Sequence, residues 1–312
     1  MSLSVSELTN QCRSTPRQAF ATDDSREILR FALEALTGGR AAALVTLVDI
    51  LGGAARPLGA HMAVRDDGLY CGLVSGGCVE AAAAHEAMAV IASGHDRYVR
   101  YGQDSPWFDI VLPCGGGITL AIHKLRSAQA LLAVLNRLEQ RLPAGLRYDS
   151  RTQTLQTLPE PPRTRGYRDG FETGYRPGVR LIIHGHSLEA QATTELALAA
   201  GYEVLNFKEY DAGQIDADTA VILLLHDLHR ELSVLQAARV ASRFYIGALG
   251  SQSTHCKRQQ KLSELGWSRD EIERIRAPIG IFPKARDARS LALSVLAEVA
   301  AARLEQEQGD TH

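Results

Sequence analysis

The chain has 312 residues, of which 45 % are hydrophobic and 22 % charged, a balance that suits two ordinary α/β-sized domains. Its 34 Lys and Arg against 36 Asp and Glu leave a net charge of −2, which gives no electrostatic case for nucleic acid, since phosphate binding needs a concentrated basic face. No run approaches the roughly 20 apolar residues that cross a bilayer, and MSLSVSELTNQCRSTPRQ lacks the apolar stretch of a secretory signal, so no membrane partner and a cytoplasmic location are expected.

In chain order, Ile28, Phe31, Ala32, Ala35 and Leu36 share one helical face behind a capping Asp24 or Ser25, which predicts a helix over 26–36. AAALVTLVDI (41–50) reads as a buried strand and HMAVR (61–65) as another, with DDG (66–68) turning into LYCGLV. VEAAAAHEAMAVIASG (79–94) is an Ala-rich helix closed by Gly94. RYVRYG, FDIVLP and ITLAIHKL are strand-like, and a helix is predicted over 128–141. These elements make a first domain over 1–142.

Residues 143–179 are polar and punctuated by Pro and Gly, which reads as an interdomain linker or mobile excursion, with a short hairpin of LRYDS and QTLQTL inside it. From 180 to 312 strands and helices alternate: RLIIHG, a helix over 188–200, YEVLNF, the apolar TAVILLLH (219–226), helical HRELSVLQAARV, then RFYIGALG. Strands apolar on both faces predict a parallel sheet covered by helices. The expected fold class is α/β, a mixed N-terminal domain followed by a Rossmann-like, doubly wound C-terminal one.

Glycine loops follow three apolar strands. SGGC (75–78) precedes a helix, CGGG (114–117) lies between two strands, and Gly185 precedes a helix. Glycine lets backbone N–H groups approach an anion, and a helix N-terminus adds a favourable dipole, so Gly76 and Gly77 form a candidate phosphate cradle; the alternative is a tight turn. Cys78 ends one loop and Cys114 begins another. A thiolate in such a place can attack an electrophile or bind a soft metal, and the plain alternative is a small buried hydrophobe. The five cysteines are widely spread without C-x-x-C spacing, so they form neither a disulfide framework nor a local zinc set.

A dinucleotide site wants G-x-G-x-x-G after the first strand and an acid near the end of the second. Here Ile183-His184-Gly185-His186-Ser187-Leu188 keeps only the middle glycine, and the ribose position falls on Lys208, with Glu209 displaced, so NAD(P) is poorly supported. His226 and Asp227 end the apolar strand where open parallel sheets bind ligands, close to His184 and His186. Proton transfer, ligation or loop capping are open to them.

The order ALVTLVD, RPLGAHMAVRDDG, GLVSGGCVEAA, Tyr101-Gly102 and PCGGG resembles the XdhC/CoxI family. Downstream, Gly185-His186, LLLHD, YIGALGS (245–251) and APIGI (277–281) before ALSVLAEVAA resemble that family's Rossmann-like domain. The resemblance covers roughly residues 40–125 and 180–301. It implies no enzyme but a maturation chaperone that binds the molybdenum cofactor, supports its sulfuration by a cysteine desulfurase, and delivers it to an apo molybdenum hydroxylase of the xanthine dehydrogenase type. A homodimer is implied too, in line with the commonest assembly.

Carried over, Cys78 and Cys114 would contact the cofactor or its molybdenum. Gly76, Gly77, Gly115 and Gly116 would shape the loops around pterin and phosphate, and Gly185, His186, His226 and Asp227 would serve from the second domain. The chain departs from the family pattern at Ile183, at Ile281-Phe282-Pro283-Lys284, and at GGAARP (52–57). Two rivals stand beside this reading: an NAD(P)-dependent oxidoreductase, and a protein adaptor without cofactor binding.

Overall fold

The structure, a computed structural model, describes residues 15–103, 105, 115–206, 212–225, 227–241, 244–282 and 284–309. The chain divides into two compact units, Met1–Arg176 and Pro177–His312.

The first unit begins with β1 (Arg17–Phe20), α1 (Ser25–Thr37), β2 (Ala42–Leu51), β3 (His61–Arg65), β4 (Leu69–Gly72), α2 (Glu80–Ser93), β5 (Arg97–Gly102) and β6 (Gly117–Lys124). Its strands make a six-stranded sheet in the order β1-β4-β3-β2-β6-β5, parallel only between β1 and β4. Alternate residues of β2 point to opposite faces, and the apolar residues of its first half are buried on both because both faces are covered there. Ala43, Val45 and Leu47 pack with Ala83, Ala84, Ala87 and Val90 of α2. Ala42 and Leu44 meet Ile28, Leu29 and Ala32 of α1 on the other face. α1 starts as its sequence suggests, with the Asp24 carboxylate accepting the Arg26 N–H at 2.8 Å. FDIVLP (108–113) lies outside the described residues.

After α3 (Gln129–Glu139) comes a correction. The stretch expected as a linker or mobile excursion is four paired antiparallel strands: β7 (Ala144–Asp149), β8 (Thr154–Leu158), β9 (Arg165–Tyr167) and β10 (Gly170–Tyr175), in the order β8-β7-β10-β9. Only the hairpin of β7 and β8 was legible. Three glycines of the stretch, Gly145, Gly170 and Gly174, serve close packing. A Cβ on Gly145 would lie 2.2 Å from Pro162 Cδ, and one on Gly174 would lie 2.3 Å from the Pro162 carbonyl oxygen. The sheet's inner face joins the core through Ala144, Leu146 and Tyr175, which cluster with Leu131 and Leu138 of α3. Polar groups also connect the two sheets: the Tyr148 hydroxyl donates to Asp96 at 2.9 Å, and His123 Nδ1 lies 2.6 Å from the same carboxylate oxygen.

The second unit comprises β11 (Arg180–His184), α4 (Leu188–Ala199), β12 (Glu203–Asn206), β13 (Thr219–Leu223), α5 (Leu228–Ala241), β14 (Tyr245–Ala248), α6 (Gln252–Glu264), α7 (Arg269–Glu273), β15 (Ile275–Arg276) and α8 (Ala288–Gly309). All five strands are parallel, in the order β12-β11-β13-β14-β15. Leu181, Ile183 and Ile222 cluster with Ala190 and Ala197 of α4 and Val295 and Val299 of α8. Ile182, Val221 and Leu223, facing the other way, cluster with Val234 and Leu235 of α5 and Leu262 of α6. The sheet is therefore doubly wound, as the alternation predicts, and the strand order reverses between β11 and β13, where such sheets open a crevice. Among the described residues no helix is long and apolar enough to cross a membrane.

Candidate functional site

In the first unit several connections end at one edge of the six-stranded sheet. Leu51 at the end of β2 and Gly102 at the end of β5 both pair with Gly117 at the start of β6. β4 runs in the same direction as β2, because both are antiparallel to β3, so the loop after Gly72 leaves from that edge too. The loops touch. A Cβ on Gly116 would fall 2.4 Å from the Gly53 carbonyl oxygen and 2.6 Å from that of Leu51, so only glycine permits this approach. A Cβ on Gly76 would come 3.3 Å from Ala55 Cβ. The segment 51–55 thus lies between the SGGC loop and the loop before β6.

The SGGC loop is built around Glu80, the first residue of α2. One oxygen of its carboxylate accepts the N–H groups of Val74 at 2.9 Å, Ser75 at 2.8 Å and Gly76 at 3.2 Å. The other accepts Gly77 N–H at 2.9 Å, Val79 N–H at 3.2 Å and the Ser75 hydroxyl at 2.8 Å. Ser75 Oγ in turn accepts the N–H groups of Cys78 and Val79, each at 3.2 Å. Gly76 and Gly77, at φ of 101° and 112°, supply the left-handed backbone that aims these donors inward. Burial would raise the Glu80 carboxyl, but the hydrogen bonds, Ser75's foremost, outweigh it and hold the group below the usual carboxylate range.

This corrects the expected phosphate cradle. The amides of Gly76 and Gly77 do bind an anion, but the anion is the chain's own carboxylate. The residue that sequence reasoning passed over is Glu80. Its signal was an acid in the first turn of a helix directly behind a Ser-Gly-Gly turn.

Cys78 is exposed on this loop with a free thiol, while Cys71 on β4 is buried and pushed up to about 12 by desolvation. Cys114 lies outside the described residues, and Gly115 and Gly116 begin the described chain beyond it. Among the described residues no three His, Cys, Asp or Glu side chains gather as a metal site.

In the second unit, Gly185 sits at the crevice, but its lack of a side chain answers to packing: a Cβ there would lie 2.3 Å from the Leu224 carbonyl oxygen. His184 is buried and pushed down to about 4, first by desolvation and then by the charges of Arg230 and His186. His186 is exposed. Asp227 caps α5, its carboxylate accepting the N–H groups of His229 at 3.0 Å and Arg230 at 3.4 Å. His226, Lys208 and Glu209 lie outside the described residues. A cavity of about 450 Å³ lined by Phe244, Tyr245 and Arg276 lies at the starts of β14 and β15, the sheet end opposite to Gly185 and away from where parallel sheets bind ligands.

Comparison with known proteins matches both units. Residues 35–102 match the XdhC and CoxI family, and residues 181–299 match the XdhC Rossmann domain. The chain is 68 % identical over 296 residues to the molybdenum cofactor insertion chaperone PaoD of Escherichia coli strain K12, an alignment covering 94 % of this chain and 93 % of that protein. It is 25 % identical over 267 residues to the uncharacterized protein YqeB of the same organism, covering 82 % of this chain and 42 % of YqeB. Its fold is shared with the crystal structure of a xanthine dehydrogenase from Bacillus halodurans, at a TM-score of 0.65 and 20 % identity, over 89 % of this chain and 96 % of that one. The match to PaoD runs through both units nearly end to end, and the chain belongs to the XdhC and CoxI family.

Proposed function

We propose that this chain is a molybdenum cofactor insertion chaperone, which holds the cofactor as cargo and hands it to an apoenzyme of the xanthine dehydrogenase type. The observation that carries this reading is the 68 % identity to PaoD across 94 % of the chain. The site's geometry is in keeping with it. An exposed thiol stands on an anchored loop where several connections of the first unit meet, and thiolate is a soft donor suited to molybdenum. Cys114 is proposed as the second thiol, and close by it in sequence Gly116 packs against the segment 51–55.

The cofactor's phosphate, by contrast, needs donors other than the amides of residues 74–79, which Glu80 and Ser75 already occupy. Of the second unit's candidates, His186 is exposed and open to cargo, while Gly185 and Asp227 have packing and capping roles. Sulfuration of the cargo by a cysteine desulfurase, work as a homodimer and a cytoplasmic setting complete the proposal. Hydride transfer with NAD(P) gains nothing from this geometry, because the one surviving glycine of the fingerprint is accounted for by Leu224.

The test is molybdenum and pterin content after the purified protein is mixed with released cofactor, run beside Cys78→Ala and Cys114→Ala. Stoichiometric retention by the parent, lost in at least one variant, is expected. No retention by the parent would leave a protein adaptor; retention unchanged in both variants would remove the cysteines from the site.

A further inference from the structure

We propose that Glu80 is a positioning residue, the built-in anion that fixes the loop 74–79 in the shape presenting Cys78. This rests on the reading of Cys78 as a cargo contact and adds what holds it in place.

Successive backbone N–H groups that converge through a Gly-Gly turn form a concavity that needs an anion. Left unfilled, each inward N–H would lose its hydrogen bond to water and gain nothing. Here two side chains answer all six amides from Val74 to Val79. Glu80 takes five of them, and Ser75 Oγ takes Cys78 and a share of Val79. The Ser75 hydroxyl gives its own proton to Glu80, which joins the two acceptors into one unit.

Burial separates the roles of neighbours. Glu80 is 3 % exposed, whereas Cys78, two residues earlier, is exposed. The carboxylate therefore works from inside, where cargo cannot reach it, and the thiol faces outward. The first turn of α2 also favours a negative charge at this point. A glutamine in the same place keeps the length but offers an amide donor to a ring of donors. An aspartate loses a methylene and with it the reach to the far side of the loop.

The experiment uses the full chain as parent, Glu80→Ala, Glu80→Gln and Cys78→Ala, with two readouts: amide hydrogen exchange at 74–79 and retention of released molybdenum cofactor. Exchange of these amides is expected to quicken at least about tenfold in both Glu80 variants, with the amides of residues 84–91 of α2 keeping their protection. Cofactor retention is expected to fall by about the same factor, in line with a loss of preorganisation. Formate added to Glu80→Ala refills the vacant nest and restores both readouts, which a general loss of stability would not allow.

Unchanged exchange in the Glu80 variants overturns the proposal. So does a loosened loop that retains cofactor as well as the parent, or the failure of formate to restore retention. If Cys78→Ala retains cofactor fully, the assignment of Cys78 fails, and with it the purpose given to Glu80, even where the exchange data confirm the anchor. Should Glu80→Ala not fold, Ser75→Ala removes the acceptor of the Cys78 amide and one of the two acceptors of Val79, together with one hydrogen bond to Glu80. A smaller quickening confined to residues 78–79, with a partial loss of retention, then supports the proposal, and none overturns it.

Discussion

The hydroxyl of Tyr175 lies 2.5 Å from Nε2 of His61, and Thr46 Oγ1 lies 3.0 Å from the other ring nitrogen, so a buried imidazole spends both nitrogens on hydroxyls from two different sheets. Tyr175 ends β10, while His61 begins β3. The two rings also stack, with centroids 5.8 Å apart. Burial pushes His61 down to about 4, so it is neutral at pH 7. Tyr175→Phe leaves a ring nitrogen without its partner and should cost about 1–3 kcal/mol in urea unfolding.

Acid should weaken the fold through this histidine from about pH 6.5 downward, starting above the range in which the carboxylates titrate. The folded value is depressed below the ordinary 6.5, so between pH 6.5 and about 4 the unfolded chain binds a proton that the folded one refuses. Stability is full above that window and falls as pH drops through it, by at most about 1.4 kcal/mol per pH unit for each such group. His184 titrates in the same direction in the second unit, pushed to about 4 by burial and then by Arg230 and His186. Unfolding followed across this range should show the slope, and His61→Gln should flatten it for the first unit. A slope that survives the substitution would assign the effect to other groups.

Arg258 and Glu231 form an ion pair at 2.7 Å whose side chains are 0 % and 2 % exposed. Both Nε and Nη2 of the guanidinium reach the carboxylate, and Nη2 also donates to the Leu249 carbonyl at 2.9 Å. Removing one partner strands a buried charge, so Glu231→Ala should destabilise the second unit by about 3–5 kcal/mol. The double replacement Glu231→Leu with Arg258→Met should cost far less, because no charge remains buried. Equal losses in the two proteins, measured by denaturant midpoints, would refute this account.

Gly185→Ala separates packing from cofactor chemistry at the crevice. The new methyl would press on the Leu224 carbonyl, and the strand ends must part to admit it, at about 1–3 kcal/mol. The expected result is a lower melting temperature with cofactor retention by the folded protein unchanged. A specific loss of retention without loss of stability would return Gly185 to the binding residues.

Much of the architecture was open to reading because its periodicities are strong. The largely apolar runs of β2 and β13 announce strands covered on both faces, and the Ala-rich α2 and α4 announce helices. β9 and β10 were hidden because their glycines and the prolines beside them carry the composition of a loop, while Gly170 and Gly174 of β10 make close contacts. β1 is four exposed residues with no alternation to detect. At the site, glycine and cysteine were visible as types, but the partner of the glycine amides was not. Nothing local distinguishes an acid that serves the helix dipole from one that turns back to fill the loop before it; that depends on the positive φ of Gly76 and Gly77.

A carrier must release as well as capture. Where cargo itself organises its loop, each departure strands a set of buried amides, and the loop must collapse or recruit water before the next load. On the proposed reading Glu80, with Ser75 Oγ, removes that step, since the six amides of 74–79 already have protein partners in the unladen chain and need none from the cargo. The work of unloading is then confined to the bonds the cargo itself makes, and an acceptor needs only to offer better ones.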